Sequence, residues 1–300
     1  MKRIHPIHAL TLLFLLGLIV VVLLFRNQVP LWQSLLFRYT LWIGVVFALR
    51  LASDRNTVGR IAAVINDFSP LVFIVLIYLS LGDLIQHLHA DVDPALIQID
   101  YSLFGVHPTV WMEQWIVPWF TDIMSFCYFS YYFLPLTLVL TLYLGNRRQD
   151  FNEAVFVLLF GYYLSFIGYI LFPAIGPRFT LSHLQSVPLE ASFFTDFVRD
   201  ILNAAEHNKR DCMPSGHTQL ALMVLYLSYR FKRVLFYVLL PIVCGLILST
   251  VYLRYHYVID LMVGTALAIV CVIIAPRLYK KWTGDRGLKT GDRRRETEDH

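Results

Sequence analysis

The sequence predicts an all-α, polytopic integral membrane protein, a bundle of about eight transmembrane helices. Hydrophobic residues make up 57% of the 300-residue chain and charged residues only 15%, whereas soluble domains carry about 25% charged residues. The chain contains 22 Phe, 17 Tyr and 6 Trp residues, enough to supply aromatic belts at both membrane interfaces. These proportions exclude an ordinary soluble domain, and no nucleic-acid partner is predicted.

Apolar stretches along the chain set the expected number of spans. A hydrocarbon core of about 30 Å requires about 20 apolar residues per helix. The stretches that meet or approach this length are 1–25, 33–51, 64–85, 120–144, 153–173, 214–230, 234–252 and 256–276. No small-x-small cleavage site follows the first stretch, so we interpret it as an uncleaved span. The sixth is short, and we expect part of it to begin within the protein.

Basic residues indicate the orientation of these spans. With eight spans, one side of the membrane receives Lys2, Arg3, Arg50, Arg55, Arg60, Arg147, Arg148, Arg230, Lys232, Arg233, Arg277, Lys280, Lys281 and Arg293–Arg295. Because basic residues concentrate in cytoplasmic loops, both termini are expected to be cytoplasmic. The loop 174–213 and the turn that contains Arg254 and His256 then face the periplasm, the cell exterior or an organelle lumen.

Three regions are expected along the chain. Residues 1–110 hold the N-terminal spans and an external connection, residues 111–276 form the helix bundle that carries the polar motifs, and residues 277–300 form a basic, disordered cytoplasmic tail. In the external connection and the span after it, aromatic residues recur at short intervals: Trp111, Trp115, Trp119, Tyr128, Tyr131 and Tyr132. The tryptophans suit an interfacial anchor or a guide for a lipid headgroup. The tyrosines suit aromatic packing or a polar helix face.

The first polar motif is Cys-Met-Pro-Ser-Gly-His-Thr at residues 212–218. Pro214 can open a helix at its first position, where the missing N–H costs nothing. Ser215 and Gly216 would then leave a hydroxyl and backbone N–H groups at the positive end of that helix, which suits an anion. His217 follows at once and could exchange a proton with the bound anion.

The second polar motif places His256 and Asp260 four residues apart, so that on a helix they would share one face. A carboxylate in that position can fix the imidazole tautomer and make its other nitrogen a better nucleophile. A structural pairing also remains open, because an unpaired aspartate in a membrane segment costs roughly 2.5–3.5 kcal/mol.

Two arginines are candidates for phosphate binding. Arg178 follows the two prolines and the glycine that end the fifth span, and Arg254 lies two residues before His256. A guanidinium presents a planar fork that fits two phosphate oxygens. Either residue could instead be an ordinary interfacial arginine.

The motif Pro-Ser-Gly-His, followed after one hydrophobic segment by His-x-x-x-Asp, resembles the type 2 phosphatidic acid phosphatase superfamily. The sequence of residues 250–260, Thr-Val-Tyr-Leu-Arg-Tyr-His-Tyr-x-x-Asp, resembles the motif of the inositol phosphorylceramide synthase-like (inositolphosphotransferase) branch. The general phosphatase pattern has a lysine where this chain has Leu171, an Arg-Pro where Pro177 precedes Arg178, and a Ser-Arg where Ser249-Thr250 stands. These departures favour the synthase-like branch.

The resemblance implies a two-step reaction within residues 111–276. His256 would attack phosphorus to form a phosphohistidine, and Asp260 would orient its imidazole. His217 would protonate the leaving oxygen. The phosphate oxygens would be held by Arg178, Ser215, Gly216 and Arg254. Neither a metal nor a cofactor is expected, because the arginines and the helix dipole supply the positive field; the cysteines also lack metal-ligand spacing.

Three functions follow from this reading. The first is transfer of the phosphoryl-containing headgroup of a membrane phospholipid to a lipid alcohol. The second is hydrolysis of a lipid phosphate or a polyprenyl pyrophosphate, with water as acceptor. The third is a non-enzymatic lipid or anion transporter, although the sequence has no visible repeat of the kind that transporters often carry.

Overall fold

The computed structural model describes residues 5–53, 59–189 and 208–284. Lys2, Arg3, Arg55, residues 190–207 of the external loop and residues 285–300 of the predicted tail lie outside the described residues. Within the described part of the chain the secondary structure is helical, without strands, so the predicted all-α class is confirmed.

Ten helices of 11 residues or more occur in the described residues. They are α1 (Pro6–Leu24), α2 (Trp32–Ser53), α3 (Arg60–Ile85), α4 (Asp93–Phe104), α5 (Pro118–Phe129), α6 (Leu134–Leu144), α7 (Arg148–Leu171), α8 (Gly216–Phe231), α9 (Arg233–Tyr252) and α10 (Val258–Thr283). Shorter helical turns cover Pro108–Trp111, Met112–Trp115, Ser130–Tyr132, Pro177–Thr180 and Ser182–Leu184.

Six of these helices (α1, α2, α3, α7, α9 and α10) are long and apolar enough to cross a membrane. The chain is therefore a multi-pass membrane protein. A seventh span is possible if α5 and α6, which meet at 50°, count as one broken crossing. Helix α8 has 16 residues, fewer than the about 20 of a complete span. The count of eight spans and the cytoplasmic position of the termini stay predictions.

The continuous helix expected over residues 120–144 is broken between α5 and α6. A 3₁₀ turn covers Ser130–Tyr132, and Pro135 lies in the first turn of α6. A proline ring cannot continue a helix because it removes one N–H and clashes with the carbonyl four residues earlier, here that of Tyr131. Tyr128, just before this break, and Tyr131, within it, both contact His217 at the start of α8.

Helix α7 is the centre of the bundle and packs against α1, α3, α6, α8 and α10. Its buried side chains, which include Phe151, Phe156 and Phe166, cover most of its circumference, as is typical of a helix enclosed by others. Because α7 ends at Leu171, this packing fixes the start of the segment that carries Arg178.

The start of α8 lies directly against α10. A Cβ atom at Gly264 would be 2.5 Å from the backbone oxygen of Ser215, so this close approach requires glycine. The backbone N–H of Ser215 also donates to the backbone oxygen of Asp260 at 3.2 Å. These contacts bring the two polar motifs together.

Candidate active site

His217, His256 and Asp260 form a continuous chain of contacts. Nδ1 of His217 lies 3.2 Å from Nε2 of His256, and Nδ1 of His256 lies 3.4 Å from Oδ2 of Asp260. The His256 and Asp260 side chains are 3% and 0% exposed. A carboxylate beside Nδ1 favours the tautomer that carries its proton there, which leaves the Nε2 lone pair available. The sequence predicted that these three residues lie together, but the local geometry that brings them together differs from the predicted one.

His256 and Asp260 do not share a helix face, contrary to the expectation from their spacing. Helix α10 begins at Val258 with Tyr257 as its N-cap, so His256 lies outside the helix. The Asp260 carboxylate turns back toward the helix start and accepts the N–H of Tyr257 at 2.9 Å. This capping hydrogen bond holds Oδ2 of Asp260 next to the His256 imidazole.

Cys212 is a third donor at the same carboxylate oxygen, and sequence reasoning missed it. Its Sγ lies 2.8 Å from Oδ2 of Asp260 and 3.6 Å from Nδ1 of His256. Burial raises the pKa of the Cys212 thiol, and the neighbouring Asp260 adds to the shift, so the thiol stays protonated and donates. Cys212, His256 and Asp260 are also residue types that bind zinc, and one donor atom of each lies within 4.8 Å of those of the other two. The S–H···O contact between Cys212 and Asp260 accounts for this proximity.

Helix α8 begins two residues later than predicted. Ser215 is its N-cap and Gly216 its first residue, so Pro214 precedes the cap and does not open the helix. The Ser215 hydroxyl accepts the N–H of Thr218 at 3.3 Å and lies 3.1 Å from the Thr218 hydroxyl, and the residue is 0% exposed. The hydroxyl thus caps the helix. The backbone N–H groups of Gly216 and His217 are in the first turn of α8, where a helix supplies no carbonyl four residues earlier to accept them. Such N–H groups suit an anion.

Tyrosines hold the His217 imidazole. Its ring stacks on Tyr128 at a centroid distance of 4.7 Å and contacts Tyr131 at 4.2 Å. Tyr128 also stacks on Tyr255, at 4.4 Å. These residues line the cavity as well, so both readings of the tyrosine run, packing and a polar face, are realised together.

Arg178 reaches the site from the segment after α7. Its guanidinium lies over the rings of Phe179 and Tyr255, at 4.6 and 5.2 Å, and Nη1 donates to the Tyr255 hydroxyl at 3.4 Å. Gly176 makes the preceding turn with a φ of 89°, a conformation that favours glycine. Arg178 is thus held at the cavity wall near His256.

Arg254 is turned away from the cavity, which disagrees with the predicted phosphate-binding role. Its Nη2 lies 2.8 Å from Oε1 of Glu113 and donates to the backbone oxygen of Val187 at 2.5 Å. The other carboxylate oxygen of Glu113 accepts the N–H and hydroxyl of Ser186 at 3.1 and 2.8 Å. Burial lowers the pKa of Arg254, and Glu113 opposes that shift. Arg254 therefore neutralises a buried carboxylate.

Two further carboxylates of the external connection brace the motif segments. Asp93 accepts the N–H groups of Ile175 and Gly176 at 2.9 and 2.8 Å. Asp100 accepts those of Val258 and Ile259, also at 2.8 and 2.9 Å, at the start of α10. Both aspartates are 2% exposed. The sequence analysis singled out neither residue, because no local pattern pointed to partners so distant in the chain.

A cavity of about 1040 Å³ opens beside the histidines, at the upper end of the range of about 300–1,000 Å³ for ligand sites. Four of the predicted site residues line it: Arg178, Gly216, His217 and His256. The other three, Ser215, Arg254 and Asp260, are buried and are not among its lining residues. Helices α2 and α3 also contribute to the lining, with Arg38, Trp42, Tyr78, Ser80 and Asp83.

The part of the chain that contains this site is similar to known proteins. Residues 94–274 match the family model described as the PAP2 superfamily. The chain is 24% identical over 173 residues to a PA-phosphatase related-family protein from Dictyostelium discoideum, a match that covers 51% of this chain and 31% of the relative. This chain thus spans about a third of that relative's length. No solved structure matches. Because the family match covers more than half of the chain and includes both polar motifs, the chain belongs to the PAP2 superfamily.

Proposed function

We propose that this protein is a membrane enzyme that cleaves a lipid phosphoester through a phosphohistidine at His256 and transfers the phosphoryl-containing group to a lipid alcohol. Membership of the PAP2 superfamily supports phosphatase-type cleavage of lipid phosphoesters. The observation that carries the proposal is the contact chain from Asp260 through His256 to His217, which opens into a cavity large enough for a lipid headgroup.

In the first step Nε2 of His256 attacks phosphorus, and the bond from phosphorus to the leaving oxygen breaks. Asp260 stabilises the positive charge that develops on the imidazole, and His217 gives its proton to the leaving oxygen. The nitrogens of the two imidazoles are 3.2 Å apart, whereas an attacking atom needs about 3–3.5 Å to phosphorus alone. The phosphoryl group must therefore approach from the cavity, and we expect its binding to separate the two rings.

Arg178 and the first turn of α8 are the groups proposed to hold the phosphate oxygens. Arg178 and Gly216 both line the cavity. A guanidinium and backbone N–H groups at a helix start stabilise the negative charge that accumulates in the transition state. Arg254 and the Ser215 hydroxyl are not assigned this task, because other groups of the protein engage them.

In the second step the acceptor oxygen attacks the phosphorus of the phosphohistidine, the bond from phosphorus to Nε2 of His256 breaks, and His217 takes the acceptor's proton. A lipid alcohol as acceptor is supported by the largely apolar cavity, which could exclude water. It is supported too by the departures from the general phosphatase pattern at Leu171 and Ser249-Thr250 and by the similarity to the inositol phosphorylceramide synthase-like branch. Water is the alternative acceptor, and the PA-phosphatase name of the Dictyostelium relative favours it.

The deciding experiment follows a label through the reaction. Purified protein in lipid receives phosphate-labelled phosphatidic acid or, separately, headgroup-labelled phosphatidylinositol, with and without ceramide or diacylglycerol. Label on a second lipid only when the acceptor is present supports transfer, whereas release of water-soluble phosphate supports hydrolysis. His256→Ala should abolish the acid-labile phosphoenzyme and turnover while the protein remains folded. A phosphoenzyme that persists in this variant would disprove the assignment of the nucleophile.

A further inference from the structure

We propose that Cys212, His256 and Asp260 form a binding site for an inhibitory zinc ion, and that zinc bound there inactivates the enzyme by reversing the tautomer of His256. The ion takes no part in the reaction and is a regulator, not a cofactor. This inference rests on the proposed function and deepens it, because it names a metal that controls the proposed nucleophile.

The first observation is the chemistry of the three donor atoms. Sγ of Cys212, Nδ1 of His256 and a carboxylate oxygen of Asp260 all lie within 4.8 Å of one another. Thiolate, imidazole and carboxylate are the three kinds of ligand that zinc takes in proteins, whereas Mg²⁺ and Ca²⁺ prefer oxygen ligands throughout. A metal ion that coordinates a thiol removes its proton. The mixed donor set therefore selects zinc over the abundant hard cations.

The second observation is the spacing of these atoms. Bonds of about 2.3 Å to sulfur and about 2.0–2.1 Å to nitrogen and oxygen, at tetrahedral angles, place sulfur about 3.5 Å from each of the other two atoms and nitrogen about 3.4 Å from oxygen. In the structure Sγ of Cys212 lies 3.6 Å from Nδ1 of His256, which lies 3.4 Å from Oδ2 of Asp260. Only the S–H···O contact, at 2.8 Å, has to lengthen when zinc replaces its proton.

The third observation is a buried carboxylate oxygen at the same place. Within the part of the chain that the structure describes, Oδ1 of Asp260 has no hydrogen-bond partner, and the side chain is 0% exposed. A buried oxygen without a partner costs free energy, and a cation held by the same carboxylate reduces that cost. Zinc with one thiolate, one carboxylate and one neutral imidazole has no net charge, so the complex leaves no unpaired charge in the protein.

The cavity gives the ion a route to these ligands. Cys212 and His256 are both lining residues of the cavity, and both contact Asp260. An ion that enters the cavity thus meets two of its three ligands at the cavity surface, next to the third.

The expected consequence is loss of the nucleophile. Without zinc, the proton on Nδ1 of His256 faces Asp260 and the Nε2 lone pair is available for attack. Zinc takes the lone pair of Nδ1, so the imidazole proton has to be on Nε2, where Nδ1 of His217 lies 3.2 Å away and can accept it. Binding therefore releases one proton, that of the Cys212 thiol, and moves the imidazole proton from Nδ1 to Nε2. With its lone pair protonated, Nε2 cannot attack phosphorus.

The binding test uses Co²⁺ alone as a spectroscopic substitute for zinc, with the full chain in lipid. The wild type should show thiolate-to-cobalt charge-transfer absorption that added Zn²⁺ removes and added Mg²⁺ does not. Cys212→Ser keeps a hydroxyl that can donate to Asp260 but should lose this absorption. Cys271→Ser is the matched control, because Cys271 is equally a buried cysteine but belongs to another part of the bundle, where it accepts from Gln219; it should bind cobalt like the wild type.

The kinetic test measures phosphoenzyme formation at fixed concentrations of free Zn²⁺, each variant being compared with its own zinc-free rate. Cys212→Ser should raise the zinc concentration that halves this rate by at least about tenfold, since even groups that only support metal ligands change metal affinity by that factor. Cys271→Ser should not change it.

Three results would overturn the proposal. The first is a wild type that shows no cobalt–thiolate absorption, a measurement that depends on no variant. The second is absorption, or zinc inhibition, that is the same in Cys212→Ser as in the wild type, because zinc then acts elsewhere, for example on the phosphate of the substrate. The third is zinc that displaces cobalt without slowing phosphoenzyme formation. Since cobalt binding requires no turnover, failure of the phosphohistidine mechanism would be seen separately, as absence of the phosphoenzyme without zinc.

Discussion

Replacing Asp260 by asparagine separates two roles of its carboxylate, orientation of His256 and capping of α10. Oδ2 of Asp260 lies 3.4 Å from Nδ1 of His256, 2.8 Å from Sγ of Cys212 and 2.9 Å from the N–H of Tyr257. An asparagine has almost the same shape, and its carbonyl oxygen can still accept from Tyr257. It carries no charge, however, so it cannot stabilise a positive imidazole.

The expected effect on catalysis is much larger than the effect on stability. Positioned acid–base groups contribute roughly 10²–10⁴ in rate, which corresponds to about 2.7–5.4 kcal/mol at 1.36 kcal/mol per decade. Loss of a helix cap costs about 0.5–2 kcal/mol. We therefore expect Asp260→Asn to slow phosphoenzyme formation by about 10²–10⁴, with substrate binding largely retained because Arg178 and Gly216 are unchanged.

Asp100→Asn is the matched control for this experiment. Asp100 accepts N–H groups at the start of the same helix, is equally buried and does not contact either histidine. It should lower the unfolding temperature while the rate of phosphoenzyme formation stays within a few-fold of the wild type. The assay is rapid-quench measurement of the phosphoenzyme, together with thermal unfolding of each variant. Equal rate losses in Asp260→Asn and Asp100→Asn would refute the orienting role.

Two other substitutions test neighbouring parts of the site. His217→Ala should slow cleavage by about 10²–10⁴ for alkyl phosphoesters, whose leaving oxygen needs a proton, and much less for aryl phosphoesters; equal losses for both in steady-state assays would argue against its role as acid. Glu113→Ala should destabilise the protein by about 3–5 kcal/mol, because it leaves the Arg254 charge buried and unpaired. The double variant with Arg254→Met should recover part of that loss in thermal unfolding, and an unchanged unfolding temperature in Glu113→Ala would contradict the buried pair.

The parts that could be predicted from the sequence depend on composition or on short motifs. Long apolar stretches specify the all-helical class, because a bilayer requires internally bonded backbone. The chemistry of His217, His256 and Asp260 is unusual enough in apolar surroundings to predict that they act together. The structure places the three in contact, although their catalytic roles stay predictions.

The rest depends on tertiary contacts that local patterns do not encode. The position of Arg254 beside His256 suggested a shared ligand, but the backbone at Arg254 has a φ of 66° and its side chain turns to Glu113, 141 residues away. From its position in the sequence, the Ser215 hydroxyl suits an anion site equally well. In the structure it caps the start of α8 instead, by accepting the N–H of Thr218. In both cases a polar group that the sequence suggested for substrate binding is bonded to other groups of the protein.

The external connection shows why the buried carboxylates matter for the arrangement of the site. Asp93 fixes the turn before Arg178, Asp100 caps the helix after His256, and Glu113 pairs with the residue two positions before that histidine. The segments that carry Arg178 and His256 come from different parts of the chain, and one stretch of 21 residues, from Asp93 to Glu113, holds both of them. Burying three carboxylates costs free energy unless their oxygens are bonded, and here the backbone and side-chain donors of the site are their partners. The geometry of the site is thus coupled to a segment that contains no catalytic motif, so removal of the Asp93 carboxylate, as in Asp93→Ala, should alter activity through the position of Arg178.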